Sequence, residues 1–107
     1  MCNISWSKKE KEIARRAFDN AYRKECTILV NRAKKMLDSN NDPLDIWKIH
    51  DLLAESREEI DLKYDYRYSV LISVFARLLR EGLLTDTDLA GLREDKLERI
   101  KALSEII

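Results

Sequence analysis

The sequence is poor in the two residue types that interrupt helices: its 107 residues include two glycines and one proline. Their scarcity favours a chain built mainly from long helices. Long apolar runs are also missing, because no uninterrupted run exceeds four residues, whereas a helix that spans a bilayer needs about 20. A chain of this length makes one domain. These absences predict a single all-α domain over residues 5–107 that does not cross a membrane.

An excess of charge of one sign is missing as well. Lys and Arg total 20, as do Asp and Glu, so a general binder of nucleic acid or of anionic membranes is not indicated. The charged fraction of 37% is typical of helices with wide solvated faces. The opening residues MCNISWSKKEKE lack the apolar centre of a signal peptide, which predicts a cytoplasmic protein.

Side chains for catalysis or metal binding are few. The only histidine is His50, and the cysteines Cys2 and Cys26 have no zinc-like spacing. No Gly-rich phosphate loop and no nucleophile motif occurs. We therefore expect reduced thiols, no enzymatic activity and no cofactor or metal.

A long first helix is predicted to begin at Ser7, which forms a capping box with Glu10. Its apolar positions then recur at spacings of three and four: Ala14, Phe18, Tyr22, Cys26, Leu29, Ala33 and Met36. About 30 residues of helix measure roughly 45 Å, which is longer than any core that the rest of the chain could build. A break over residues 39–43 follows, with Asp42 as the cap of a second helix. Residues 5–62 are predicted to form an elongated dimerising stem.

Residues 63–107 are predicted to form a compact helical head. A third helix through residues 66–82 has an apolar face of Val70, Leu71, Val74, Phe75, Leu78 and Leu79, and Gly82 suits its left-handed cap. A short helix capped by Thr85 and a last helix at residues 97–107 follow. Tyr64, Tyr66 and Tyr68 alternate along the chain and are not expected to face one core together, so at least one should be exposed. They predict either core packing with hydroxyls at the rim or an aromatic binding surface.

The second helix carries an unusual face in IWKIHDLLAESREEID, residues 46–61. At about 100° per residue, His50, Asp51 and Arg57 all fall within roughly 80° of Trp47. Trp47 is either an ordinary core residue with three polar groups at the rim, or the centre of an interface with a second copy. In the second alternative Asp51 accepts a charge-assisted bond from Arg57 of the other subunit.

Several stretches occur in the order found in the fluorescence recovery protein family of cyanobacteria, which the chain resembles over nearly its whole length. They are Trp6-Ser7 with Glu10, Ala17-Phe18-x-x-Ala21-Tyr22-x-x-Glu25, DIWKIHD (45–51), Arg57-x-Glu59-Ile60-Asp61, KYDYRYS (63–69) and VFARL-x-REG (74–82). The resemblance implies an all-helical homodimer without a cofactor. Such a dimer binds photoactivated orange carotenoid protein, chiefly its C-terminal domain, and speeds its return to the inactive orange form. It also helps to detach that protein from the phycobilisome, which ends photoprotective quenching. Through its phycobilisome-bound partner the dimer would be peripheral to the thylakoid.

The resemblance also assigns roles to residues. It places partner binding and the dimer interface at Trp47, His50, Asp51 and Arg57, with the Arg and the Asp stabilising the dimer. It places secondary partner contacts in the head at Ser73, Phe75 and Arg99. Two positions depart from the family pattern: Ser73 replaces an aromatic residue and Leu62 replaces a glycine. The alternative is a homologue from a system without the carotenoid protein, which uses the helical dimer as a scaffold for another protein.

Overall fold

A computed structural model describes residues 4–39 and 42–107, and within these ranges the chain forms helices and turns without a strand. The helices are α1 (Lys8–Asp38), α2 (Ile46–Lys63), α3 (Leu71–Arg80) and α4 (Glu94–Ile106), with a 3₁₀ turn at Pro43–Asp45 before α2. The prediction of an all-α fold is confirmed. The molecule measures 53 × 26 × 25 Å.

Helix α1 begins where its capping box was predicted. The Ser7 hydroxyl accepts from the Glu10 amide at 3.1 Å, and the Glu10 carboxylate accepts from the Ser7 amide at 3.0 Å. The helix then continues for 31 residues. Residues 40 and 41 of the predicted break and Cys2 lie outside the described residues. Asp42 caps the 3₁₀ turn, where its carboxylate accepts from the Leu44 amide at 3.0 Å.

The apolar core lies between the first half of α1 and the helices α3 and α4. From the N-terminal side it takes Trp6, Ile13, Ala14, Ala17, Phe18 and Ala21, and from the C-terminal side chiefly Leu71, Phe75, Leu78, Leu89 and Ile100. Helices α3 and α4 pack directly on each other. Because residues 6–21 share this core, the head as a packed unit also includes the first half of α1.

Beyond the core, α1 and α2 form an antiparallel hairpin. Met36 and Ile49 line one cleft between the helices, and Leu29 and Ser56 line a second. Nearer the head, Tyr22 and Ile60 line a third. Within this hairpin the apolar positions of α1 after Ala21 are half-buried or exposed. A single partner helix therefore covers only part of the apolar side of α1.

The predicted start of the third helix was wrong, since α3 begins at Leu71 rather than near residue 66. Residues 64–67 have no regular structure and 68–70 form a turn. In this irregular segment Tyr64, Tyr66 and Tyr68 all pack against the core. Phe18 meets the first two edge-on, at ring centroid distances of 5.3 and 4.8 Å. The expectation that they could not share one core is thereby corrected.

The two glycines mark the turns of the head. Gly82 follows α3 with φ of 77°, which confirms the predicted left-handed cap. The Thr85 amide donates to the Asp88 carboxylate at 2.9 Å, as at a helix start. However, residues 86–91 form successive turns rather than the predicted short helix. Gly91, with φ of 101°, lies before α4.

Candidate functional site

Trp47 lies on the outward side of α2. Ile49 is 7% exposed and faces α1; since two helical residues turn by about 200°, Trp47 points almost directly away from α1. Its side chain is 63% exposed, and its indole meets the His50 ring edge-on at 6.0 Å. The alternative in which Trp47 is an ordinary core residue of its own chain is therefore wrong.

The polar residues predicted beside Trp47 are also exposed. His50 Nδ1 and Asp51 Oδ1 lie 3.2 Å apart, with side chains 66% and 73% exposed. Arg57 donates through Nε to both Asp61 carboxylate oxygens at 3.1 and 3.2 Å, and this hydrogen bond raises the pKa of the Arg57 guanidinium. Asp51 and Arg57 therefore each have a local partner and are not brought together within one chain.

Exposed apolar side chains are concentrated in the stem, on both α1 and α2. Eight of the eleven large hydrophobic residues that are exposed in the described ranges fall between residues 22 and 53: Tyr22, Ile28, Val30, Leu37, Leu44, Ile46, Trp47 and Leu53. We refer to the outward side of α2 that bears Trp47, His50, Asp51 and Arg57 as the stem face. Exposed aromatic and apolar residues concentrated in one region are typical of a protein-binding surface.

The head residues that the resemblance assigned to partner contact differ in exposure. Ser73 and Arg99 are exposed on α3 and α4. Phe75 is 0% exposed and belongs to the core. Its assignment to a contact surface is corrected, because a side chain fully enclosed by α1, α3 and α4 offers no atoms to a second protein.

A buried ion cluster at the junction of stem and head was not found from the sequence. The Lys63 ammonium lies 2.7 Å from a carboxylate oxygen of Glu25 and 2.7 Å from one of Glu81, with the lysine side chain 5% exposed. Burial alone would raise the pKa of Glu81, but Lys63 and Arg77 together lower it. The Tyr64 hydroxyl donates to Glu25 at 2.9 Å. The one signal in the sequence is that Lys63 falls three residues after Ile60, on the α1-facing side of α2.

Small-molecule chemistry finds little support in this arrangement. The clefts between α1 and α2 have volumes of about 220, 160 and 280 Å³, below the usual range of ligand pockets. A wider hollow of about 410 Å³ on α2 is lined by Glu58, Asp61 and Leu62 of that one helix. Across residues 4–39 and 42–107, no group of three or more His, Cys, Asp or Glu is placed to hold a metal ion. In the same ranges no helix is both long enough and apolar enough to span a membrane.

The fold defines an all-helical protein with an extended hairpin whose outer side presents aromatic, apolar and charged groups. Residues 6–104 match the family described as photoprotection regulator fluorescence recovery protein. The chain is 42% identical over 101 residues to the fluorescence recovery protein of Synechocystis, a match that covers 94% of this chain and 93% of the relative. This chain belongs to the fluorescence recovery protein family.

Solved structures agree with this assignment. The Fremyella diplosiphon fluorescence recovery protein superimposes with a TM-score of 0.87 at 43% identity, covering 95% of this chain and all of that one. The Synechocystis protein gives a TM-score of 0.88 at 41% identity, with the same coverage. The family is one of photoprotection regulators, which accords with the expected absence of enzyme motifs.

Proposed function

We propose that two copies of this chain pair through their stems and that the dimer binds photoactivated orange carotenoid protein, chiefly through the C-terminal domain of that protein. Binding accelerates the return to the inactive orange form and helps to release the carotenoid protein from the phycobilisome. The dimer performs no covalent chemistry and uses no cofactor. The observation that carries the proposal is the family match over residues 6–104, joined to a stem face whose tryptophan is 63% exposed.

The exposed surface of the hairpin supports the pairing. Trp47, Ile46 and Leu53 together leave large apolar areas in water, and burying such area contributes about 25 cal/mol per Å². Ala54 lies on the same outward side, four residues after His50 and three before Arg57. Its short side chain allows a second helix to approach closely. A two-fold axis would place each stem face against its own copy.

Charge geometry supports a bond between Asp51 and Arg57 of different subunits. Both recorded bonds from Arg57 to Asp61 use Nε. The guanidinium therefore has terminal N–H donors for a second carboxylate while it keeps Asp61. Asp51 has only His50 as its partner in the described part of the chain. Two such pairs would form across the symmetric interface.

Replacement of either partner tests this interface. Asp51→Ala or Arg57→Ala should weaken the dimer by roughly 30-fold or more, since truncation of an interface charge pair costs about 2 kcal/mol or more. Lys48→Ala is the matched control, because Lys48 is on the same helix, 75% exposed, and paired only locally with Asp45. Sedimentation velocity across a dilution series measures the effect. An unchanged dimer in both variants would remove Asp51 and Arg57 from the interface.

Relaxation kinetics test the regulatory role. Photoactivated orange carotenoid protein should return to its orange form faster when the wild-type dimer is added in excess, and release from isolated phycobilisomes should follow the same dose dependence. A wild-type protein that dimerises but leaves both rates unchanged would refute this role. That result would favour the alternative, in which the helical dimer is a scaffold for another protein.

A further inference from the structure

The outer surface of α1 is strongly basic although the whole chain is neutral. Helix α1 holds ten Lys and Arg residues against five Asp and Glu residues, a net charge of 10 − 5 = +5. Two of those acids point inward: Glu10 pairs with Lys96 and Glu25 with Lys63. The solvent side of α1 therefore presents ten cations and three acids.

Four of these cations form a line along the helix, which we call the basic stripe: Lys9, Arg16, Arg23 and Lys34. Their spacings of 7, 7 and 11 residues keep them within an arc of about 40°, over a length of roughly 37 Å. All four are exposed. Within the described part of the chain, none of the four side chains makes a recorded hydrogen bond or ion pair; the α1 ion pair on this surface is that of Arg15 with Asp19.

The basic stripe lies on the opposite side of α1 from α2. Leu29, which lines a cleft against α2, follows Lys9 by 20 residues and is therefore rotated by about 200° from it. Pairing of two chains through the stem face of α2 would leave the stripe in solvent. Each dimer would then carry two such stripes.

We propose that the basic stripe docks an acidic surface of the partner protein, which under the proposed function is photoactivated orange carotenoid protein. Charge complementarity is the argument, since a row of unpaired cations raises the rate of encounter with a negative surface and orients it. The proposal rests on the proposed function and adds a second contact, separate from the stem face and from Ser73 and Arg99.

Other anionic occupants fit the described surface less well. A helix that binds a membrane surface needs a free face of bulky apolar residues, whereas Thr27 lies in the arc of the stripe, with Asn20 and Asp38 about 20° from its edge. Nucleic acid requires a basic domain, and here the net charge is zero. Helix α2 of the same stem carries three cations and five acids, so the stem as a whole would repel a polyanion on one side.

Neutralisation of the stripe tests the proposal. The variant Arg16→Gln/Arg23→Gln/Lys34→Gln removes three charges from the stripe. The control Lys8→Gln/Lys24→Gln/Lys35→Gln removes three from the same helix at positions rotated by about 60° or more from Lys9. Binding to photoactivated orange carotenoid protein is measured for wild type and both variants at several salt concentrations.

We expect the stripe variant to lose about tenfold or more in association rate at low salt and to show a weaker salt dependence than wild type. The control should stay within about threefold of wild type, since only the general field changes. Equal losses in both variants, or none in either, would overturn the stripe as a docking site while wild-type binding upholds the proposed function. A wild-type protein that does not bind would overturn both proposals.

Three further measurements separate the occupants. Sedimentation of the stripe variant should match that of wild type; a change in subunit number would assign the stripe to a second copy and overturn the proposal. Vesicles containing 30% phosphatidylserine and a 20-base-pair DNA duplex should not bind wild type at physiological salt. Binding to either that is lost in the stripe variant would overturn the choice of a protein surface.

Discussion

Replacement of Glu10 by Gln should destabilise the fold more than any exposed substitution on α1. Glu10 is 4% exposed, and its carboxylate accepts from the amides of Ser7 and Arg93, each at 3.0 Å. The Lys96 ammonium, which is almost fully buried, lies 3.1 Å away. Glutamine keeps the shape and removes the charge, so Lys96 would be left as a buried cation without its anion.

The magnitude follows from the pKa of Glu10. Burial alone would raise it, but the Arg93 and Ser7 amides and then Lys96 lower it from 4.5 to about 2. A shift of this size corresponds to about 3 kcal/mol of stability. Because the pKa is lower in the folded state, this contribution is complete above about pH 5 and disappears as the pH falls towards 2.

Urea unfolding at one fixed protein concentration measures the effect. At pH 7 the unfolding free energy of Glu10→Gln should be about 3 kcal/mol below that of wild type. At pH 3 the difference should shrink to about 1 kcal/mol, since wild type has by then lost most of the contribution. The control Glu12→Gln changes an exposed residue two positions along α1 and should stay within about 0.5 kcal/mol of wild type.

A double variant tests the cause. Glu10→Gln/Lys96→Met removes both charges and should recover much of the loss, because replacing a whole buried ion pair costs less than breaking it. The reasoning would be refuted if Glu10→Gln matched wild type within 1 kcal/mol at pH 7. It would also be refuted if the loss were equally large at pH 3.

Two further predictions concern the junction and the turns. Lys63→Met leaves Glu25 and Glu81 without their shared cation and should lower Tm by about 10 °C or more in a calorimetric scan. The control Lys48→Met, at an exposed α2 position, should leave Tm nearly unchanged. Equal Tm values for the two variants would mean that the ion cluster does not stabilise the fold. Gly82→Ala meets no atom within 4 Å and should cost only the backbone strain of φ 77°, about 1 kcal/mol. Gly91→Ala should cost more in urea unfolding, because its new Cβ would lie 2.6 Å from Ile13 Cδ1; similar losses at both glycines would contradict the predicted clash.

Local signals in the sequence were enough to place two of the helix ends. The capping box at Ser7 and the left-handed cap at Gly82 depend on a few neighbouring residues, and both were predicted. The irregular course of residues 64–67 could not be predicted, since it depends on contacts of Tyr64 and Tyr66 with Phe18, more than 40 residues earlier. Local pattern favoured a helix there, and tertiary packing decided otherwise.

For the candidate site, helical periodicity predicted which side of α2 each residue lies on, but not whether that side is buried or exposed. It placed Trp47 and Arg57 on one side of α2, yet core and interface demand the same periodicity, so exposure had to come from the structure. Two predictions for Phe75 were in conflict. The apolar spacing placed it on a buried face, and the resemblance placed it at a contact with a partner protein. The structure agrees with the spacing. The pairing of Lys96 with Glu10 spans 86 residues and left no local signal.

Helix α1 is continuous, but its N-terminal half packs in the core and its C-terminal half does not. Every buried residue of α1 lies between Glu10 and Ala21. Beyond Ala21, Tyr22 and Glu25 still contact Tyr64, and the rest of the helix has chiefly α2 beside it. In a lone chain the free end should open at low energetic cost, while the end inside the core exchanges its amide protons only when the whole domain unfolds. If two stems pair, the stability of the C-terminal half of α1 depends on protein concentration. Dilution would then increase local opening in the C-terminal half of α1 and leave its N-terminal half unaffected.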